Sequence, residues 1–187
     1  MRPLLRMCAA CEKYGVKLLT YGTLVRLYPR HAFAGTLAHL SQCGGLLSNR
    51  FLNVPVPNPY DLNFTPSLRK YLDMVNLRFV HHTRDAAAVS TPAWDEFQLL
   101  LRTLDRIARA NDVSIANVAT RWVLDQPAVG AVIIGARLGV SNNLEDNLRV
   151  FQYKLSDDER AEIDTVLNRT DAGAVMKALG DCGGEYR

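Results

Sequence analysis

The chain has 187 residues, of which 48% are hydrophobic, 22% charged and 8% aromatic, a balance that suits one globular α/β domain with a sizeable core. Its net charge of +3 is scattered with no basic run, which argues against a nucleic-acid surface. Arg6, Glu12 and Lys13 interrupt the first apolar stretch too early for a secretory signal or a membrane span, so a cytoplasmic chain without a membrane partner is expected.

Taken in chain order, "PLLRMCAACEKYG" places Leu4, Leu5, Cys8 and Cys11 on one helical face and stops at Gly15, after which "VKLLTYG" has the length and composition of a buried strand. "TPSLRKYLDMVN" starts a second helix with Thr65 as cap and Pro66 in its first turn, and spaces Leu68, Tyr71, Leu72 and Val75 along one side. "TPAWDEFQLLLRTLDRIARAN" repeats the device with Thr91 as cap and Pro92, and stripes Phe97, Leu100, Leu101, Leu104 and Ile107. Ser114 opens a helix that turns Ile115, Val118, Ala119 and Trp122 inward and is stopped by Pro127, and "AVIIG" from Ala131 follows as the second strand. Ser156 and Glu159 form a capping box for a last helix with Ile163, Val166 and Leu167 inward. Residues 170–187 are glycine-rich and read as a flexible tail.

The four cysteines include one CxxC, Cys8 and Cys11, with no second pair or histidine pair at zinc-site spacing. They read as reduced core residues, His81 and His82 read as a polar loop, and no metal site is expected. The two strands lack polar alternation, which predicts a parallel sheet buried on both faces under helices. A strand pair cannot close a barrel, and a complete (β/α)8 barrel takes about 250 residues. The stretch from Ala131 to Leu148 runs from strand to polar loop to helix. Free backbone N–H groups there, close approach at Gly135 and the fork of Arg137 suit an anion. Taken alone, Arg137 suits a solvated loop cation as well, Asn147 a polar residue in a first helical turn, and Tyr21 a half-buried ring with a wet hydroxyl.

The words "YGVKLLTYGTL", "CGGLLSNRFL", "NVATRWVLDQPAVGAVIIGAR" and "NLEDNL", in that order before a capped terminal helix, resemble the C-terminal part of the aldo-keto reductases. The resemblance covers about the last two fifths of a member's TIM barrel and implies an incomplete barrel: two barrel strands with their surrounding helices. It implies NADP(H) as cofactor and a small-molecule carbonyl substrate for the complete fold. It also implies that Tyr21 stacks on the nicotinamide and that Gly22, Thr23 and Leu24 curl over the pyrophosphate, while the pair Gly44 and Gly45 suits close approach of backbone to a phosphate or simply a turn. Ile134, Gly135, Ala136 and Arg137 would line the 2′-phosphate, and Asn143, Asp146 and Asn147 the adenine side.

Several features depart from the family pattern. "LGVS" makes the loop after Arg137 about two residues longer, which puts the aim of Arg137 in question. Residues 25–42 and 77–93 are atypical insertions within a partial domain spanning 1–169, and the first fits retained intron sequence, since every valine codon begins with GT and glutamine can be CAG. If mature transcripts all carry the codons from Val25 to Gln42, that idea is wrong. The chain begins after the words that hold the family's catalytic Asp, Tyr, Lys and His, so no catalytic residue is assigned. The expected role is the cofactor-binding portion of an NADPH-dependent reductase that is inactive by itself, with two alternatives: a non-catalytic nucleotide-binding or interaction protein, or a truncated product without independent role. Helices patterned for a full barrel are further expected to leave apolar stripes such as Phe97, Leu101 and Leu104 uncovered.

Overall fold

The computed structural model describes residues 3–21, 45–58, 60–61, 68–69, 71–72, 75, 91–134 and 143–169. Both inserted stretches lie outside them, apart from the last three residues of the second, and so does the tail. The described elements are α1 (Pro3–Tyr14), β1 (Leu18–Tyr21), α2 (Thr91–Ala110), α3 (Ile115–Leu124), β2 (Val129–Ile133), α4 (Leu144–Leu148) and α5 (Asp157–Leu167), with 3-10 turns at Asn49–Phe51 and Arg149–Phe151.

Helix α1 ends as its glycine predicts. Gly15 sits at φ +63°, its N–H reaches the Glu12 carbonyl, and the Val16 N–H reaches the Cys11 carbonyl at 3.0 Å, so two terminal carbonyls are satisfied as the chain turns into β1. Cys11 is buried with a free thiol, as a residue on the inner helical face should be. Helix α2 closes with the same pair of bonds, Asp112 to Arg109 and Val113 to Ala108, but with Asp112 in the left-handed position at φ +51°. Arg149 donates to the carbonyl oxygen and the carboxylate of Asp112, which fixes the turn from outside.

β1 and β2 pair in parallel, Leu19 with Ala131, Thr20 with Val132 and Tyr21 with Ile133, after an irregularity between Leu18 and Leu19. The connection between them passes through α2 and α3. Leu18, Thr20, Val129 and Val132 turn toward the helices. Two expectations are corrected here. The second strand begins at Val129 and includes Gly130, where an added Cβ would lie 2.7 Å from the Lys17 Cβ, so the glycine admits the neighbouring strand. The sheet is also not buried on both faces: Leu19 is 65% and Ile133 52% exposed, because a two-stranded sheet has helices against one face only among the described residues.

Helix α2 packs on α3 and α5, and α3 packs on β2. Phe97, Leu100, Leu101, Leu104 and Ile107 are all buried, which overturns the expected uncovered stripe: helices α3 and α5 and the 45–58 segment cover it. Leu68, Tyr71, Leu72 and Val75 are buried as their spacing predicts, as are Ile115, Val118, Ala119 and Trp122, and Ile163, Val166 and Leu167. Ser114 caps α3 by accepting from the Asn117 N–H, and Ser156 and Glu159 complete the capping box of α5. Thr91 falls inside α2 rather than capping it, a shift of one residue.

Polar pairs then lock the helix layer. Arg106 of α2 pairs with Glu162 of α5, the Trp122 indole N–H donates to Asp164 at 3.1 Å, and Asp125 at the end of α3 accepts from both Arg121 and Arg160 at 2.9 Å. The loop at 45–58 is held by α2: Gln98 accepts from the Asn53 N–H at 2.7 Å and donates to the Phe51 carbonyl at 2.8 Å, while Trp94 donates to the Val54 carbonyl at 2.8 Å. Leu46 and Leu47 of this loop are fully buried. No helix among the described residues is long and apolar enough to cross a membrane.

Candidate cofactor site

Of the expected site, Tyr21 and Ile134 lie together at one end of the sheet. Parallel pairing sets Tyr21 beside Ile133, so both strands deliver their carboxyl ends together, and Ile134 is the next residue out. Helix α3 packs against β2 and joins it through the short turn from Asp125 to Ala128, so the two run in opposite directions. Ten helical residues rise about 15 Å and five strand residues about 16 Å, which brings the start of α3 level with the end of β2.

That start is where α4 is attached. The Ser114 hydroxyl donates to Asp146 Oδ2 at 2.9 Å, and the Asn117 amide donates to Asp146 Oδ1 at 3.1 Å and to Ser114 Oγ at 2.8 Å. Asp146 therefore has each carboxylate oxygen engaged, with lone pairs remaining for a ligand. The clasp places α4 at the carboxyl end of the strands, together with Tyr21 and Ile134. Asn143 holds the N-cap position but makes no side-chain cap bond, and the Asn147 side chain carries no hydrogen bond among the described residues. Asn143 is exposed and Asn147 half-buried, so two amides able to donate and accept stand beside the clasped carboxylate.

Of the expected site residues, Tyr21 is described in backbone only, Gly45 has φ +98° above the buried Leu46, and Ile134, Asn143, Asp146 and Asn147 are described in full. Gly22, Thr23, Leu24, Gly44, Gly135, Ala136 and Arg137 lie outside the described residues. Helix α4 has five residues, too few for a large macrodipole. A cavity of about 120 Å3, lined by Cys11, Glu12, Lys17, Pro127 and Ala128 among others, lies at the amino ends of the strands. It is at the end of the sheet away from the expected site. A second void, of about 20 Å3, is lined by Leu47, Leu104, Trp122 and Ile163 within the helix layer and has no room for a cofactor.

Ser114 and Asn117 were not anticipated at the site. Their only trace in the sequence is the capping signal at Ser114, and nothing in the pattern links it to an aspartate in a different helix.

A parallel strand pair with crossover helices and a short helix fixed over the strands' carboxyl ends has the layout of an α/β barrel's ligand end. The chain belongs to the Aldo/keto reductase family, whose model matches residues 44–168, and the family fold is a TIM barrel. The described residues form a helix-rich α/β structure with a two-stranded parallel sheet and no closed barrel. The chain is also similar to flagellar radial spoke protein 5 of Chlamydomonas reinhardtii, with 31% identity over 128 residues that cover 66% of this chain and 17% of the relative. The chain thus corresponds to a small part of that protein's length.

Proposed function

We propose that this chain is the cofactor-binding C-terminal portion of an NADPH-dependent aldo-keto reductase barrel. The observation that supports this most is the Asp146 clasp, which sets α4 and its asparagines at the same end of the sheet as Tyr21 and Ile134. In this reading Tyr21 stacks on the nicotinamide and Gly22, Thr23 and Leu24 fold over the pyrophosphate. Gly44 and Gly45 bring backbone close to a phosphate, and Ile134, Gly135, Ala136 and Arg137 hold the 2′-phosphate. Asn143, Asp146 and Asn147 meet the adenine edge, whose donors and acceptors the two asparagine amides and the carboxylate complement.

When bound, NADPH supplies a hydride for reduction of a carbonyl carbon. The residues of this chain bind and orient it, and no proton donor is assigned among them. In this reading carbonyl reduction draws its proton donor from outside the residues that hold the cofactor. A cytoplasmic location and a small carbonyl substrate accompany this reading. The likeness to a protein named for the flagellar radial spoke supports a second one, in which the chain is a non-catalytic nucleotide-binding or interaction component.

Titrating the purified chain with NADPH and NADH tests the cofactor role. Arg137→Ala is expected to weaken NADPH more than NADH by roughly 1–3 kcal/mol, the scale of a charge-assisted contact. Equal losses would remove Arg137 from the 2′-phosphate. Carbonyl reduction by the purified chain, abolished by Tyr14→Phe or Tyr21→Phe, would overturn the absence of a proton donor.

A further inference from the structure

We infer that Asn117, through Asp146, is the positioning residue for the adenine end of the site; the inference rests on the cofactor reading above. Asn117 is 2% exposed, so it has no access to a ligand, and its amide is spent within the protein. The two Nδ2 hydrogens go to Ser114 Oγ and Asp146 Oδ1, while the Ser114 hydroxyl accepts from the Asn117 backbone and amide and donates to Asp146 Oδ2. The donor capacity of both groups is then used up. Asp146 is the one charged member of the set, so both of its bonds are charge-assisted.

The helix that carries Asp146 cannot hold its own place. Five residues are well below the length at which a helix is stable alone, and none of the residues of α4 is buried. The clasp and the 3-10 turn that follows tie it to the start of α3. Asn143 and Asn147 flank Asp146, and the Asn147 N–H donates to the Asn143 carbonyl at 2.8 Å, so fixing Asp146 also fixes the backbone from which both asparagine side chains project. Asn117 thereby sets the geometry of the adenine contacts from beneath the site.

The experiment compares wild type, Asn117→Ala, Asp146→Ala and the double variant of the full chain, with NADPH and 2′,5′-ADP as calorimetric probes and hydrogen exchange at residues 143–148. Asn117→Ala is expected to weaken 2′,5′-ADP roughly ten-fold and to speed exchange in α4. In the Asp146→Ala background it should weaken 2′,5′-ADP no further, since the residue through which it acts is gone. A residue that merely supports the fold would cost the same in both backgrounds, and that result, or unchanged 2′,5′-ADP binding in Asn117→Ala, overturns the inference while the cofactor reading stands. Failure of the wild type to bind either probe overturns the cofactor reading and this role together. If Asn117→Ala does not fold, Ser114→Gly removes the other bond to Asp146 with little loss of capping and is held to the same criteria.

Discussion

Gln98 does at a single position what a strand partner would do for a whole segment. The 45–58 loop runs over α2 without entering the sheet, and the buried Gln98 amide satisfies the Phe51 carbonyl and the Asn53 N–H in place of water. Gln98→Leu keeps much of the volume but orphans both groups, and is expected to lower stability by about 1–3 kcal/mol in urea unfolding. Tyr153 poses the opposite case. Its hydroxyl is buried with no hydrogen-bond partner among the described residues, and burial pushes the phenol well above its ordinary range, offset in part by Arg121 and reinforced by Glu159 and Asp125. Tyr153→Phe removes the unsatisfied group and should leave the urea midpoint unchanged or raised. Burial alone would raise the carboxyl of Glu159, yet bonds from the Ser156 N–H and the Asn111 amide, with the nearby Ser156 side chain and Arg106, hold it below the usual range. A depressed folded value stabilises at neutral pH and loses that contribution as pH falls through the folded value. Glu159→Gln should therefore cost less than about 1 kcal/mol at neutral pH, screening limiting the charged part, and match wild type once the medium is acid enough to protonate Glu159. A gap that widened in acid would contradict this.

Two glycines at the ends and inside of elements are under different constraints. Gly15 has open space where a Cβ would go but a φ of +63°, so Gly15→Ala is expected to cost about 1–2 kcal/mol through backbone strain alone. Gly130→Ala has an ordinary φ and a clash at 2.7 Å with the Lys17 Cβ, which the strand pair can relieve only by separating. Its damage should appear as faster exchange of the β1 and β2 amides, ahead of the helices. The same positions explain what was legible in the sequence. Helices α3 and α5 were visible together with their caps because Ser114, and Ser156 with Glu159, act within one helical turn. The helical faces were visible because 3.6-residue spacing places Phe97, Leu101 and Leu104 together whatever covers them. The cover was not, because α5 and the 45–58 loop reach that stripe only through tertiary contact. The start of β2 was misplaced because Gly130 breaks the apolar run, although the reason for the glycine lies across the sheet in Lys17. At the site, the end of β1 at Tyr21 followed from the pattern and the family words, whereas the bonds from Ser114 and Asn117 to Asp146 depend on where two separate helices come to rest.

At the scale of the molecule, the helix layer and the sheet are unequally finished. Helices α2, α3 and α5 bury their stripes against one another and are tied by Arg106 with Glu162, Trp122 with Asp164, and Asp125 with two arginines. The two strands pair only with each other among the described residues, and Leu19 and Ile133 face outward on the side away from the helices. A two-stranded sheet is marginal in water, and an unpaired edge beside apolar side chains is a template for another strand. The purified chain is therefore expected to keep its helical circular dichroism but to self-associate with concentration, and to melt broadly because the sheet end loosens before the helix layer. Supplying the N-terminal barrel half of another family member, and deleting residues 25–42, should pair both edges, cover Leu19 and Ile133, and yield one sharp transition that NADPH shifts upward. Calorimetry and sedimentation of the chain alone against the completed barrel decide the matter. A sharp, reversible transition in monomeric chain would show that the strand pair needs no further partner and would refute the account of the sheet as unfinished.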